Sequence, residues 1–557
     1  MDQSIDAKVS LRTGGQILVD QLVAQGVERV TCVPGESYLA ALDALHDANI
    51  DVMTCRAEGG AAMMAEAYGK LTGRPGICFV TRGPGATNAS HGVHIAMQDS
   101  TPMILFIGQV DSTMLEREAF QEVDYKAVFG SLAKWVVEID HPGRIPELVA
   151  RAFRIAMQGR RGPVVVALPE NMLTEAASVN DAPRVEPARS WPAPSDIQQL
   201  GVLLAKARAP LVILGGSGWD EVASKRILGF VERFDLPVVT SFRRASLFDA
   251  DHPNYAGDLG IGADPRLKAR VTGADLILLI GGRLSEIASS SYTLLDIPSP
   301  AQPLVHVHPG AEELGRVYQP TLAIQATPIA FAQAVETLKP AIAPAWTGEA
   351  AKAHADYLKW SEMPRELPGS FQYGHVLAWL RDRLPTNAIV CNGAGNYAGW
   401  LHRHHRFHVF ATQLAPTSGS MGYGVPAAVM AKRQHPDRVV VAFAGDGCFL
   451  MNGQEFATAV QYGAPIIVIL VDNSQYGTIR MHQEREYPGR VIGTQLRNPD
   501  FAMYAKAFGG HGERIEQTQE FRPAFERALA SGKPAILHCL LDPRAISVGI
   551  DFAPTRA

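Results

Sequence analysis

Residues 439–477 read VVVAFAGDGCFLMNGQEFATAVQYGAPIIVILVDNSQYG. A Val-rich run delivers Gly445-Asp446-Gly447, an amphipathic segment follows, and a second apolar run ends at Asp472-Asn473. Short Val/Ile runs on either side of a helical segment read as a βαβ unit with buried parallel strands. In an open parallel sheet, ligands sit beyond the carboxyl ends of the strands, so both run ends face one crevice and Asp446 comes beside Asn473. A carboxylate, an amide oxygen and a backbone carbonyl near Gln475 are hard oxygen donors, suited to an octahedral Mg²⁺ that shares its shell with phosphates. Gly445, Gly447 and a helix N-terminus at Cys448 offer amides to the same diphosphate. On its own, a Gly-Asp-Gly triplet reads first as a plain turn.

The same alternation extends in both directions. From 12 to 175 the helical pattern QILVDQLVAQGVERV gives way to GICFVTRGPG, PMILFIGQV and GPVVVALPE. A second set, near 196–340, offers PLVILGGSG, LPVVTSF, ADLILLIGGR and PLVHVHPG, and a third, near 370–545, offers AIVCNGAG, RVVVAFAGDG, APIIVILVDN and PAILHCLL. The proline-rich, aperiodic stretch at 176–194, and the stretch at 341–369 that is proline-rich and then helical, read as linkers. A chain of 557 residues suits three domains at roughly 100–200 residues each. The expectation is α/β: three doubly wound parallel-sheet domains at 1–178, 194–342 and 368–547.

A hydrophobic fraction of 47% and a charged fraction of 19% fit a packed globular protein. The net charge of -5 gives no basic field for nucleic acid. Six cysteines standing singly argue against a disulfide framework or a structural zinc site. The polar start MDQSIDAKVSLRTGG and the lack of any run of about 20 apolar residues exclude a signal peptide and a membrane span, so a cytoplasmic location is expected.

A second motif, CRAEGGAAMMAEAYGKLTGRPGICFVTRGPGATNA at 55–89, precedes the first in chain order. Together the two resemble the thiamine diphosphate enzymes, the earlier one most closely the acetolactate synthase and pyruvate oxidase group. The resemblance spans nearly the whole chain as pyrimidine-binding, central and diphosphate-binding domains. It implies that Glu58 hydrogen-bonds the cofactor's aminopyrimidine ring and promotes its imino form, and that Asp446, Asn473 and Gln475 hold Mg²⁺. In APTSGSMGYGVPAAVMAKR (415–433) it sets the Gly419 carbonyl and the Met421 amide at the pyrimidine edge, with Met421 as the wedge that bends the cofactor. In NGAGNYAGW (392–400) it sets Gly395, Asn396 and Tyr397 at the diphosphate, and in EREAFQEVDY (116–125) it sets Phe120 and Gln121 on the substrate side, with Lys134 later. It further implies a homo-oligomer, dimer or tetramer.

The pattern departs from acetolactate synthase in places. Glu58-Gly59-Gly60 replaces Glu-Gln-Gly, Asn396 and Tyr397 replace Gln and His, Ile287 stands where an arginine meets the second substrate's carboxylate, and His482 stands where a tryptophan shapes the acceptor pocket. His482 is a candidate proton donor, since imidazole titrates near neutral pH. His91 and His94, on a helix that could reach the pocket, read first as packing residues; His402, His404, His405 and His408 look like a metal patch, but irregular spacing and basic neighbours favour a solvated loop. Relatives bind FAD, ADP or nothing in the central domain. Arg243, Arg244 and Arg283 are candidate phosphate contacts there, and FAD is left open.

The reading is a thiamine diphosphate- and Mg²⁺-dependent enzyme, acetolactate synthase-like, that decarboxylates a 2-oxo acid and joins the product to a second carbonyl. The alternative is a non-oxidative decarboxylase or a 2-hydroxyacyl-CoA lyase. From other classes come a regulatory subunit without turnover, which intact Glu58, Asp446 and Asn473 speak against, and a nucleotide-binding protein.

Overall fold

The computed structural model describes residues 10–341, 343–362 and 364–551. The chain divides between Ala188 and Arg189 into two compact units.

The first unit holds a six-stranded sheet with Asp51–Thr54 at one edge, then Arg29–Cys32, Gly76–Val80, Met103–Gln109, Pro163–Pro169 and Trp135–Glu138. All of its pairings are parallel. Helices cover both faces, which is why the central strands read as unbroken apolar runs: every residue of Met103–Gln109 and Pro163–Pro169 is buried. At roughly 1.5–3 kcal/mol for each buried large apolar side chain, these runs dominate the stability of the layer. The first helix, Gly14–Ala24, starts on a capping box between Thr13 and Gln16.

Part of the expected linker packs against this unit. Gln21 and Gln25, both buried, each pair with linker backbone: the amide oxygens accept from Ala182 N at 2.7 Å and Val185 N at 2.9 Å, and the amide nitrogens donate to Ala182 O and Pro183 O.

The second unit holds two more parallel sheets of six strands. In the central one, Pro210–Leu214 lies between Val238–Ser241 and Leu276–Ile280. In the C-terminal one, the order is Gln413–Leu414, Ile389–Asn392, Val440–Gly445, Ile467–Asp472, Ala535–Leu540 and His511–Ile515. The three doubly wound sheets expected from the sequence are present. Two antiparallel pairs were not anticipated, Arg12–Thr13 with Ala176–Ala177 and Ala545–Ser547 with Ile550–Asp551, because strands this short leave no periodic signal. Among the described residues no helix is long and apolar enough to cross a membrane.

Candidate cofactor and metal site

In the C-terminal sheet the winding reverses beside Ile389–Asn392: the next strand in sequence pairs on one side and Val440–Gly445 on the other. The loops beyond these two strands therefore diverge and leave a crevice. A cavity of about 230 Å³ opens there, lined by Gly395, Asn396, Met421, Asp446, Asn473 and Ile479 among others.

Register places Gly445 opposite Val471, so Asp446 emerges beside Asp472, the last residue of its strand, and Asn473 follows one position later; Asp446 and Asn473 both line the cavity. The helix starts at Asp446, two residues before the expected Cys448, because Gly445 is already extended and serves as its N-cap. Asp446 is buried, and its Oδ2 accepts from Asn498 Nδ2 at 2.7 Å. The same amide donates to Asp472 Oδ1 at 2.8 Å, and Asp472 Oδ2 meets His538 Nε2 at 2.9 Å. Burial pushes the Asp446 carboxyl up to about 6, with the Asn498 amide opposing and the Asp472 charge adding to the rise. Burial acts on Asp472 the same way, but hydrogen bonds from His538, Ser474 and Asn498 outweigh it and hold that carboxyl low.

These donors fit a hard divalent cation. Among the described residues no group of three or more His, Cys, Asp and Glu side chains could hold one, so a cation here would draw on a mixed set of oxygens. The Gln475 carbonyl accepts from Gly477 N at 2.9 Å and keeps a second lone pair, while its side chain is fixed by Pro543 O and Arg480. Asn498 Oδ1 is buried with no protein partner, an acceptor suited to a cation's water. Sequence reading missed Asn498, which lies 52 positions from Asp446 with only an Asn-Pro turn signal around it.

The cavity wall is built on close backbone approach. A Cβ at Gly393 would fall 2.6 Å from Cys448 Sγ, and Gly422 N donates to that sulfur at 3.2 Å. Gly419, with φ +67°, has open space where a side chain would stand. Met421 packs its partly buried side chain against the domain core and reaches the cavity. Tyr397 also lines it, but its hydroxyl is spent inward, accepting from Gly393 N at 3.0 Å beside Cys448 Sγ at 3.4 Å. Asn396 donates to Ile546 O at 2.8 Å and accepts from Thr478 Oγ1, which pins the C-terminal segment at the cavity edge.

In the first unit Glu58 opens the helix Glu58–Thr72. Asn88 Nδ2 donates to its Oε2 at 3.1 Å, and Oε1 lies 3.4 Å from where a Gly85 side chain would begin. Gln121 takes a left-handed conformation against Gly83, and Phe120 beside it is 73% exposed. Lys134 is not free on a substrate face: its ammonium donates to Ile155 O and Gln158 O at the end of the helix Ile145–Met157. His482 is exposed and accepts from Arg485 at 3.0 Å; it is not among the cavity's lining residues.

The histidines at 402–408 correct the expectation of a solvated loop. His404 is buried against Ser361 O at 3.0 Å, and burial pushes His402 and His405 down to about 3. His408 pairs with Asp249 at 3.0 Å, which raises it. The segment is polar in composition, yet the helix Tyr397–His404 packs within the unit. Two arginines of the central domain have protein partners. Arg244 donates to Gly216 O at 2.8 Å inside the glycine loop, Trp219 donates to Gly215 O at 2.8 Å, and Arg243 turns toward the C-terminal sheet.

Comparison with known proteins gives this architecture a class. Residues 12–128 match the thiamine pyrophosphate enzyme N-terminal TPP binding domain, residues 197–335 the central domain, and residues 393–539 the C-terminal TPP binding domain. The chain belongs to the thiamine pyrophosphate (thiamine diphosphate) enzyme family. Within it, the chain is 31% identical to the acetolactate synthase isozyme 2 large subunit of Escherichia coli (strain K12), over 95% of each chain. It is 32% identical to the acetolactate synthase large subunit of Parasynechococcus marenigrum (strain WH8102), over 94% of this chain and 87% of that one. It is thus a thiamine diphosphate-dependent enzyme similar to acetolactate synthases.

Proposed function

We propose that this enzyme decarboxylates a 2-oxo acid and joins the resulting fragment to a second carbonyl, with Mg²⁺ as the metal. The observation that carries this reading is that Asp446 and Asn473, from the ends of neighbouring strands, both line an open cavity at the winding switch. Bound thiamine diphosphate supplies an electron sink for the carbon–carbon bond that breaks or forms. The protein's share is placement and proton handling. Asp446, Asn473 and the Gln475 carbonyl hold the metal, and the amides from Gly447 onward meet the diphosphate. Gly395, Asn396 and Tyr397 form the opposite wall, the Gly419 carbonyl and Met421 amide address the pyrimidine edge, and Glu58 holds the ring proton that sets the amino–imino balance. Gln121 faces the substrate. A homo-oligomer and a cytoplasmic location belong to the same reading.

One observation favours a second reading, cleavage without ligation, including cleavage of a 2-hydroxyacyl-CoA. Ile287, where the resemblance sets an arginine for the acceptor carboxylate, is partly buried against the apolar core of the central domain and supplies no cation. Incubating the holoenzyme with 2-oxo acids and 2-hydroxyacyl-CoAs, followed by mass spectrometry, separates the two. Acetohydroxy acids support ligation, an aldehyde alone supports cleavage, and absence of cofactor-dependent turnover overturns both.

A further inference from the structure

Arg243 follows the strand Val238–Ser241 of the central sheet and is 4% exposed, with φ +58°. A bulky residue held in the left-handed region marks a place where the surroundings dictate the backbone. Its guanidinium leaves the central domain. Nη2 donates to Gly393 O at 2.8 Å, and Nη1 donates to Pro416 O. These carbonyls stand at the start of the two loops that carry Gly395, Asn396 and Tyr397 on one side and Gly419 and Met421 on the other. Gly393 is also the point where the cavity's loops converge. Its carbonyl accepts from Asn392 Nδ2 at 2.8 Å, its amide donates to Tyr397 Oη, and a Cβ there would meet Cys448 Sγ, Gly422 N and Ser420 O.

A planar guanidinium fixes the separation and angle of two acceptors at once, which an ammonium does not. Buried, it loses heavily if either acceptor moves away. We propose that Arg243 is a positioning residue of the cofactor cavity: it sets the spacing of the 393–397 and 416–421 loops, so the central domain acts on the bound cofactor from behind. The proposal rests on the reading of this cavity as the thiamine diphosphate site.

The test uses full-length protein stripped of cofactor: wild type, Arg243→Gly and Arg243→Lys. Glycine accepts φ +58° without strain, so Arg243→Gly removes the fork and spares the backbone. Thiamine diphosphate affinity at saturating Mg²⁺ is read by calorimetry, beside near-ultraviolet circular dichroism of the bound cofactor and the melting midpoint of the cofactor-free protein. Arg243→Gly weakens affinity on the order of tenfold or more, for two lost charge-assisted hydrogen bonds, and Arg243→Lys weakens it less. Millimolar guanidinium restores the Gly variant toward wild type, a response that a general loss of structure would not give. Wild-type affinity in Arg243→Gly overturns the proposal. If that variant does not fold, Arg243→Lys decides: weakened affinity with an unchanged cofactor-free midpoint supports the proposal, and wild-type affinity overturns it. Failure of the wild type itself to bind thiamine diphosphate overturns the underlying reading, and this is distinguishable because it appears before any variant is compared.

Discussion

Asn88 donates to one carboxylate oxygen of Glu58 and leaves the other to act in the proposed proton handling. Substituting Glu58 by Ala lowers cofactor-dependent turnover on the order of 10²–10⁴-fold, the usual share of a positioned acid–base group, while calorimetry still shows cofactor binding. Asn88→Ala costs less, on the order of tenfold for one hydrogen bond to a charged group, and slows exchange of the cofactor's C2 proton measured by NMR. Asn498 bridges Asp446 and Asp472 behind the proposed metal position: Asn498→Ala is expected to weaken Mg²⁺ affinity about 10–100-fold, measured by metal titration of cofactor binding. Asp258 carries a pH dependence of its own. Burial pushes its carboxyl up to about 8 against the opposing charge of Arg243, and its Oδ2 has no hydrogen-bond partner. The folded protein therefore keeps a proton that the unfolded chain releases near pH 4. This contribution to stability is complete below that point and is lost as pH rises toward about 8, at no more than about 1.4 kcal/mol per pH unit. Asp258→Asn flattens the slope, read from melting midpoints of cofactor-free protein across that range.

Among the elements, the loops beyond Ile389–Asn392 and Val440–Gly445 approach closely because one side chain is absent. Gly393→Ala places a methyl group 2.6 Å from Cys448 Sγ, so the loops shift and cofactor affinity falls with little change in the sheet. Adding Cys448→Ala removes the opposing sulfur and recovers most of the loss, a coupling that a double-mutant cycle by calorimetry measures. The strands and their Gly-rich ends were legible in the sequence because the signals are local: an apolar run, a glycine, a helix. The histidines at 402–408 were not, since a polar segment looks solvated until the surface that covers it is known. The linker shows the same effect, where Gln21 and Gln25 tie nominally irregular backbone to a helix about 160 positions away.

For the whole molecule, three parallel sheets leave the cofactor cavity to loops, which are the elements with least apolar burial of their own. Thiamine diphosphate with Mg²⁺ at about 100 times its dissociation constant therefore stabilises the protein by about 2.7 kcal/mol, seen as a raised melting midpoint. Hydrogen exchange gains protection in 393–397, 416–421 and 445–448 rather than in the sheets. The sequence by itself determined the three-sheet class, the family resemblance, and that the strand ends carrying Asp446 and Asn473 open on one cavity, because each depends on short-range pattern and parallel topology. Only the tertiary structure decided that Asn88 anchors Glu58, that Asn498 bridges Asp446 to Asp472, and that Arg243 reaches a carbonyl 173 positions away. Amide and guanidinium partners carry no local pattern. They are chosen by which buried oxygen the folded chain brings within reach.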